Sequence, residues 1–143
     1  IDYKFHMFNK KDGSYEYVLQ VIYNRGNPAL SMNFYVNNLC EAFHKIRDTG
    51  LDISASHSAL ARALELSKTL AADFDYVRVD WYLHESQIYF GELTFTPGAG
   101  LVTGLDRGLN QMMGELWIQD RMHTGRSPSD LQELDMPVLL KKV

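Results

Sequence analysis

The chain has one cysteine, Cys40, in 143 residues. A lone thiol forms neither an internal disulfide nor a cysteine metal cluster, so the default setting is a reducing cytoplasm. A basic excess is also missing. Fourteen Lys and Arg stand against eighteen Asp and Glu, a formal charge of −4. That argues against a nucleic-acid partner, because phosphate backbones are held by clustered cations. No apolar run approaches the ~20 residues of a membrane span, and no charged-then-apolar leader opens the chain. Repeats, low-complexity tracts and charge blocks are absent. What remains, 45% hydrophobic and 22% charged residues, is the balance of one globular domain with its own core. The chain opens at Ile1 and runs at once into strand-like sequence, as expected of a segment preceded by another half.

Tyr3–Asn9 and Tyr15–Tyr23 are rich in aromatic and β-branched residues, and the polar segment Lys10–Ser14 between them signals a hairpin. Met32–Val36 reads as a short third strand. Asn38–Arg47 carries Leu39, Ala42, Phe43 and Ile46 at helical spacing, with Asn38 and Glu41 as a capping box and Gly50 as the stop. Cys40 is then expected on a buried helical face. A second helix, capped by Ser56 or Ser58, runs to about Ala72 on the stripe Leu60, Ala63, Leu64, Ser67, Leu70 and Ala71. Strands follow at Tyr76–His84 and Gln87–Thr96. A Gly-rich loop, Pro97 to Gly108, leads to a last helix whose face is Leu109, Met112, Met113, Leu116 and Trp117. Ser129–Gln132 repeats the capping-box pattern before a short helix, and the tail Val138–Val143 is unassigned. This order predicts an α+β fold, an antiparallel sheet with helices on one face. Residues 1–121 form the lobe and residues 122–143 a tail.

The chemistry concentrates in the last hairpin. Alternate strand residues share a face. Val77, Val79, Trp81 and Leu83 form an apolar row on one strand, matched by Tyr89, Leu93 and Phe95 on the other. Burying both rows together, with the turn centred near Ser86, places Asp80 opposite Glu92 and Arg78 opposite Thr94. Two carboxylates at that spacing repel unless a cation lies between them. Mg²⁺ with phosphate oxygens and waters fits that need, and Arg78 neutralising the acids on a solvated face is the plainer alternative. On the metal reading, removing one charge relieves strain and costs turnover more than stability. His6, His44, His57, His84 and His123 show no ligand spacing and read as structural or exposed.

Arg78-Val79-Asp80, followed after the turn by Glu92-Leu93-Thr94-Phe95-Thr96-Pro97-Gly98, resembles the metal-binding strands of ATP-grasp ligases. The opening Asp2-Tyr3-Lys4-Phe5 and the phrases Phe74–Asp80 and Gly91–Phe95 resemble the TupA-like branch, found among surface-polysaccharide genes. The likeness spans roughly Ile1 to Arg121. It implies the second lobe of an ATP-grasp fold that uses ATP and Mg²⁺. Asp80 and Glu92 take the places of the acidic metal ligands. Thr94 stands where many of these enzymes have a metal-binding Asn. Arg78 takes the place of the phosphate-facing, catalytic arginine. Lys4 is a candidate for a phosphate or substrate carboxylate, and backbone N–H groups around Gly98 and Gly100 for an anionic substrate.

The implied reaction is ATP-dependent joining of a carboxylate and an amine through an acylphosphate, in cell-surface polysaccharide or peptide-polymer biosynthesis. The Gly-rich phosphate loop of the fold belongs upstream, so this chain alone is expected to bind ATP weakly and to catalyse nothing. Two rival readings are a non-catalytic member that binds polymer or partner, and a metal-dependent glycosyltransferase. The second normally places its acids on a loop after a parallel strand.

Overall fold

The computed structural model describes residues 1–48, 50, 52–100 and 106–118. The helix expected after Ser129, the tail, His123 and the middle of the Gly-rich loop lie outside the described residues.

Six strands form one antiparallel sheet: β1 (Asp2–Asn9), β2 (Tyr15–Tyr23), β3 (Ser31–Val36), β4 (His44–Ile46), β5 (Tyr76–His84) and β6 (Gln87–Thr94), in the order β4-β3-β2-β1-β5-β6. Helix α1 (His57–Ala71) connects β4 to β5, and α2 (Arg107–Leu116) follows β6. The α+β class and the antiparallel sheet are those expected from the sequence.

Strand alternation sorts β1 onto two faces. Tyr3, Phe5 and Met7 point to one core, shared with Leu19, Val21, Val79 and Trp81, where α1 adds Leu60, Ala63 and Leu64. Ser67 joins helix to sheet. Its hydroxyl donates to the Ala63 carbonyl at 2.8 Å and accepts from Trp81 Nε1 at 2.8 Å, so the one polar residue on the buried stripe satisfies a buried indole. Leu70, on the edge of that stripe, is exposed. Asn9 fastens the end of α1 by donating its amide to the carbonyls of Ala71 and Phe74.

Helix α2 does not share that face. Its Leu109, Met112, Met113 and Leu116 pack with Phe8, Val18, Phe34 and Tyr76 on the opposite side of the sheet. The helices therefore cover both faces rather than one. The reason lies in β1 and β5: Phe8 and Tyr76 supply a second apolar patch on the otherwise polar face, and α2 covers it. Trp117 ends the helix in extended backbone and is partly exposed, so it is not a core residue.

The helix expected over Asn38–Arg47 does not form. Asn38 does behave as a cap, accepting from the N–H groups of Cys40 and Glu41. The chain then turns back, Phe43 donates its N–H to the Phe34 carbonyl at 2.7 Å, and His44–Ile46 pairs with β3 as an edge strand. A free sheet edge has outweighed a local helical pattern. Cys40 is consequently exposed.

Candidate functional site

The site lies on the α2 side of the sheet, where β1, β5 and β6 adjoin. Its geometry depends on the β5–β6 hairpin. The turn residues Glu85 and Ser86 both have positive φ, 48° and 65°, the two-residue turn whose twist suits a hairpin. Its centre lies between them, which pairs His84 with Gln87 and Leu83 with Ile88. Further along, Val79 pairs with Leu93 and Arg78 with Thr94, a register one residue different. A β-bulge between Val79 and Trp81 absorbs the difference.

The expected pairing of Arg78 with Thr94 therefore holds, but Asp80 has no single partner: Gly91 and Glu92 both lie opposite it. The expected apolar row also changes on the turn side of the bulge. Trp81 pairs with Phe90, while Tyr89 pairs with Tyr82 and is exposed. Gly91 is needed here. A Cβ at this position would lie 3.1 Å from the Asp80 carbonyl oxygen and 3.0 Å from Tyr82 Cε2.

The bulge gathers five of the residues singled out in the sequence. Arg78 Nε donates to Asp80 Oδ1 at 2.7 Å. Arg78 Nη2 donates to Asp80 Oδ2 at 2.8 Å, Glu92 Oε1 at 3.1 Å and Thr94 Oγ1 at 3.0 Å. The Thr94 hydroxyl donates in turn to Glu92 Oε1 at 2.9 Å. From β1, Lys4 closes the group with an ion pair to Asp80 Oδ2.

Burial divides the two acids. Asp80 and Lys4 are almost fully buried, whereas the Glu92 side chain is 62% exposed. The picture of two acids repelling each other is thus corrected: Asp80 sits between two cations, and only Glu92 faces solvent. Gly98 and Gly100 lie in a single 3₁₀ turn, Pro97–Gly100, with Gly98 at φ 58°.

Sequence reasoning missed the neighbouring cavity of about 480 Å³ between the sheet and α2. Lys4 and Arg78 line its wall nearest the acids, with His6, Gln20, Tyr76 and Trp117 further along. The missed signal was alternation on β1, where Lys4, His6 and Phe8 must share a face, as Arg78 and Asp80 evidently do on β5. His6 Nε2 contacts Gln20 Oε1 at 3.2 Å and Nδ1 contacts the Tyr76 hydroxyl at 2.8 Å. Burial lowers the His6 pKa from 6.5 to about 4. The Gln20 hydrogen bond and Asp80 oppose this, and Arg78 and Lys4 reinforce it. The ring is therefore neutral near pH 7. The Gln20 oxygen selects the Nε2–H tautomer, which leaves Nδ1 to accept from Tyr76. Burial likewise raises the Tyr76 hydroxyl above its ordinary range.

The family model for TupA-like ATPgrasp matches residues 1–118, the sheet, both helices and every residue of this cluster. The chain belongs to the TupA-like ATP-grasp family. No curated protein and no solved structure matches it. ATP-grasp proteins generally use ATP with Mg²⁺, and the TupA-like chain can be tested for a fit to the metal. Oxygens of Asp80, Glu92 and Thr94 converge on one point, and a cationic nitrogen, Arg78 Nη2, already occupies it. The donors are hard oxygens, and two carboxylates with room for phosphate and water is the usual provision for Mg²⁺. The donor set fits, on condition that Arg78 moves off it. Among the described residues no group of three or more His, Cys, Asp or Glu forms an all-protein metal site, and Mg²⁺ does not require one. No described helix is long and apolar enough to cross a membrane.

Proposed function

We propose that this chain is the metal-binding lobe of an ATP-dependent carboxylate–amine ligase acting in cell-surface polysaccharide or peptide-polymer biosynthesis. One observation carries the reading: the oxygens of Asp80, Glu92 and Thr94 surround a single cationic nitrogen of Arg78, on strands whose sequence resembles the metal-binding strands of ATP-grasp ligases.

Asp80, Glu92 and Thr94 would hold Mg²⁺, which neutralises charge on the β- and γ-phosphates of ATP. Arg78, freed from the donor set, turns its guanidinium toward the transferring phosphoryl group and stabilises the charge that develops there. Lys4, on the neighbouring strand β1, fixes the position of the Asp80 carboxylate through their ion pair. In the first step a substrate carboxylate oxygen attacks the γ-phosphorus, giving an acylphosphate and ADP. In the second an amine attacks the acyl carbon, giving an amide and phosphate. Backbone N–H groups around Gly98 and Gly100 would meet an anionic substrate at the end of β6. A second lobe, carrying the phosphate loop, completes the nucleotide cleft.

Hydroxylamine tests the reaction class. The full-length enzyme with Mg-ATP and its acid substrate should convert hydroxylamine to a hydroxamate in step with ADP release. ADP release with no hydroxamate would exclude an acylphosphate, and no ADP release with any acid would favour a non-catalytic member.

A further inference from the structure

We infer that the cavity between the sheet and α2 is the pocket for the acid to be activated, and that this acid is a monocarboxylate carried on a ring with a flat apolar face. The inference rests on the ligase reading for the acid's fate but on the cavity itself for its chemistry.

The two ends of the cavity differ. At one end stand Lys4 and Arg78, the cations that also bind Asp80. Before a metal displaces it, Arg78 bonds to Asp80, Glu92 and Thr94 through Nε and Nη2, which leaves the N–H groups of Nη1 for an incoming carboxylate. An acid held there lies beside the proposed phosphoryl-transfer site. At the other end the walls are aromatic: Phe8, Phe34, Tyr76 and Trp117. The Trp117 and Tyr76 rings lie 4.7 Å apart between centroids, inclined at 32°. Alongside, His6 bonds to Gln20 and to the Tyr76 hydroxyl, so these polar groups are already satisfied, and the third cation of the lining, Arg25, is paired with Asp2 at 3.0 Å. Such a pocket suits a flat ring with a single anionic end.

The helix above the cavity supplies an independent observation. Asn110, Met113 and Gly114 line the cavity from α2, at the spacing of one helical face, and Trp117 lines it from just past the end of the helix. Gly114 is the small member of that face, although glycine is the poorest helix former after proline. Nothing lies within 4 Å of a Cβ built on it, and its backbone carries no positive φ. A larger residue would fit the helix and intrude on the cavity. The helix forgoes that stability, and the space stays open.

The test is calorimetric titration of the full-length protein, with and without ADP, using benzoate, glucuronate and acetate. Benzoate and glucuronate distinguish an aromatic ring from a sugar ring presenting its apolar face, and acetate has no ring. At least one ring acid should bind about tenfold more tightly than acetate, a difference of about 1.4 kcal/mol. Gly114→Leu should abolish that preference without lowering Tm, because leucine favours the helix. Trp117→Ala should weaken the same acid about tenfold, again about 1.4 kcal/mol. Equal binding of acetate and both ring acids, or a Gly114→Leu protein that binds ring acids as well as the parent does, would overturn the inference. Mg-ATP titrated into the same samples keeps the two claims apart. Ring-acid preference without nucleotide binding would sink the ligase reading and leave the pocket standing. Nucleotide binding without ring-acid preference would do the reverse.

Discussion

Arg78 Nη2 lies 2.8 Å from Asp80 Oδ2, and the same nitrogen reaches Glu92 and Thr94 across the hairpin. One side-chain nitrogen thus occupies the centre of the oxygen set proposed here to hold a metal. The two acids bonded to it differ in burial, and substitution should separate them.

Asp80 is buried between Lys4 and Arg78. Asp80→Asn leaves the buried Lys4 ammonium without its counter-charge, a loss of about 3–5 kcal/mol in comparable buried pairs. Glu92 is largely exposed, and Glu92→Gln should change stability by less than about 1 kcal/mol. Both should reduce turnover severely. Denaturant titration with activity on the same samples checks this. Equal stability losses in the two variants would contradict the division of roles.

Gly91→Ala should be destabilising by about 1–3 kcal/mol, as overpacking generally is. The new Cβ meets the Asp80 carbonyl at 3.1 Å, and backbone yields less readily than the Tyr82 ring beside it. Amide chemical shifts of Val79, Asp80 and Trp81 should move with the loss of stability. Unchanged shifts would mean that the bulge does not depend on this glycine.

His6 gives a pH dependence with a definite sign. Its pKa falls from 6.5 to about 4 on folding, through burial first. Between those values the unfolded chain binds the proton and the folded protein does not, so stability falls as pH drops through that window. The contribution is fully present above pH 6.5 and is lost by about pH 4, a change of about 3 kcal/mol at most. His6→Gln should flatten this part of the profile. A profile with the same slope in the variant would show that other groups carry it.

The hairpins, α1 and the α+β class were legible because each follows a strong local period or turn signal. Lys10–Ser14 marks the first turn, and Leu60, Ala63 and Leu64 mark the buried side of α1. The pairing of Arg78 with Thr94 could also be read from the apolar rows. The bulge could not, because it depends on half a residue in the position of the turn at Glu85 and Ser86. Asn38–Arg47 misled because its helical spacing was genuine, while the open edge of β3 lay far away in sequence. Lys4 as the partner of Asp80 needed the pairing of β1 with β5, a contact 76 residues apart. The cavity needed α2 on the second face, whereas the apolar stripe of α2 was expected on the same face as α1.

The central claim is that Asp80, Glu92 and Thr94 are one donor set, held by Arg78 until a metal takes its place. Titration of Mn²⁺ by electron paramagnetic resonance, without nucleotide, addresses it directly. The parent protein should bind the ion weakly. Arg78→Met, which clears the donor set, should bind it about tenfold more tightly, about 1.4 kcal/mol. Adding Glu92→Gln to that variant should remove the gain. Equal affinity in the parent and Arg78→Met, or a gain that survives Glu92→Gln, would contradict the account.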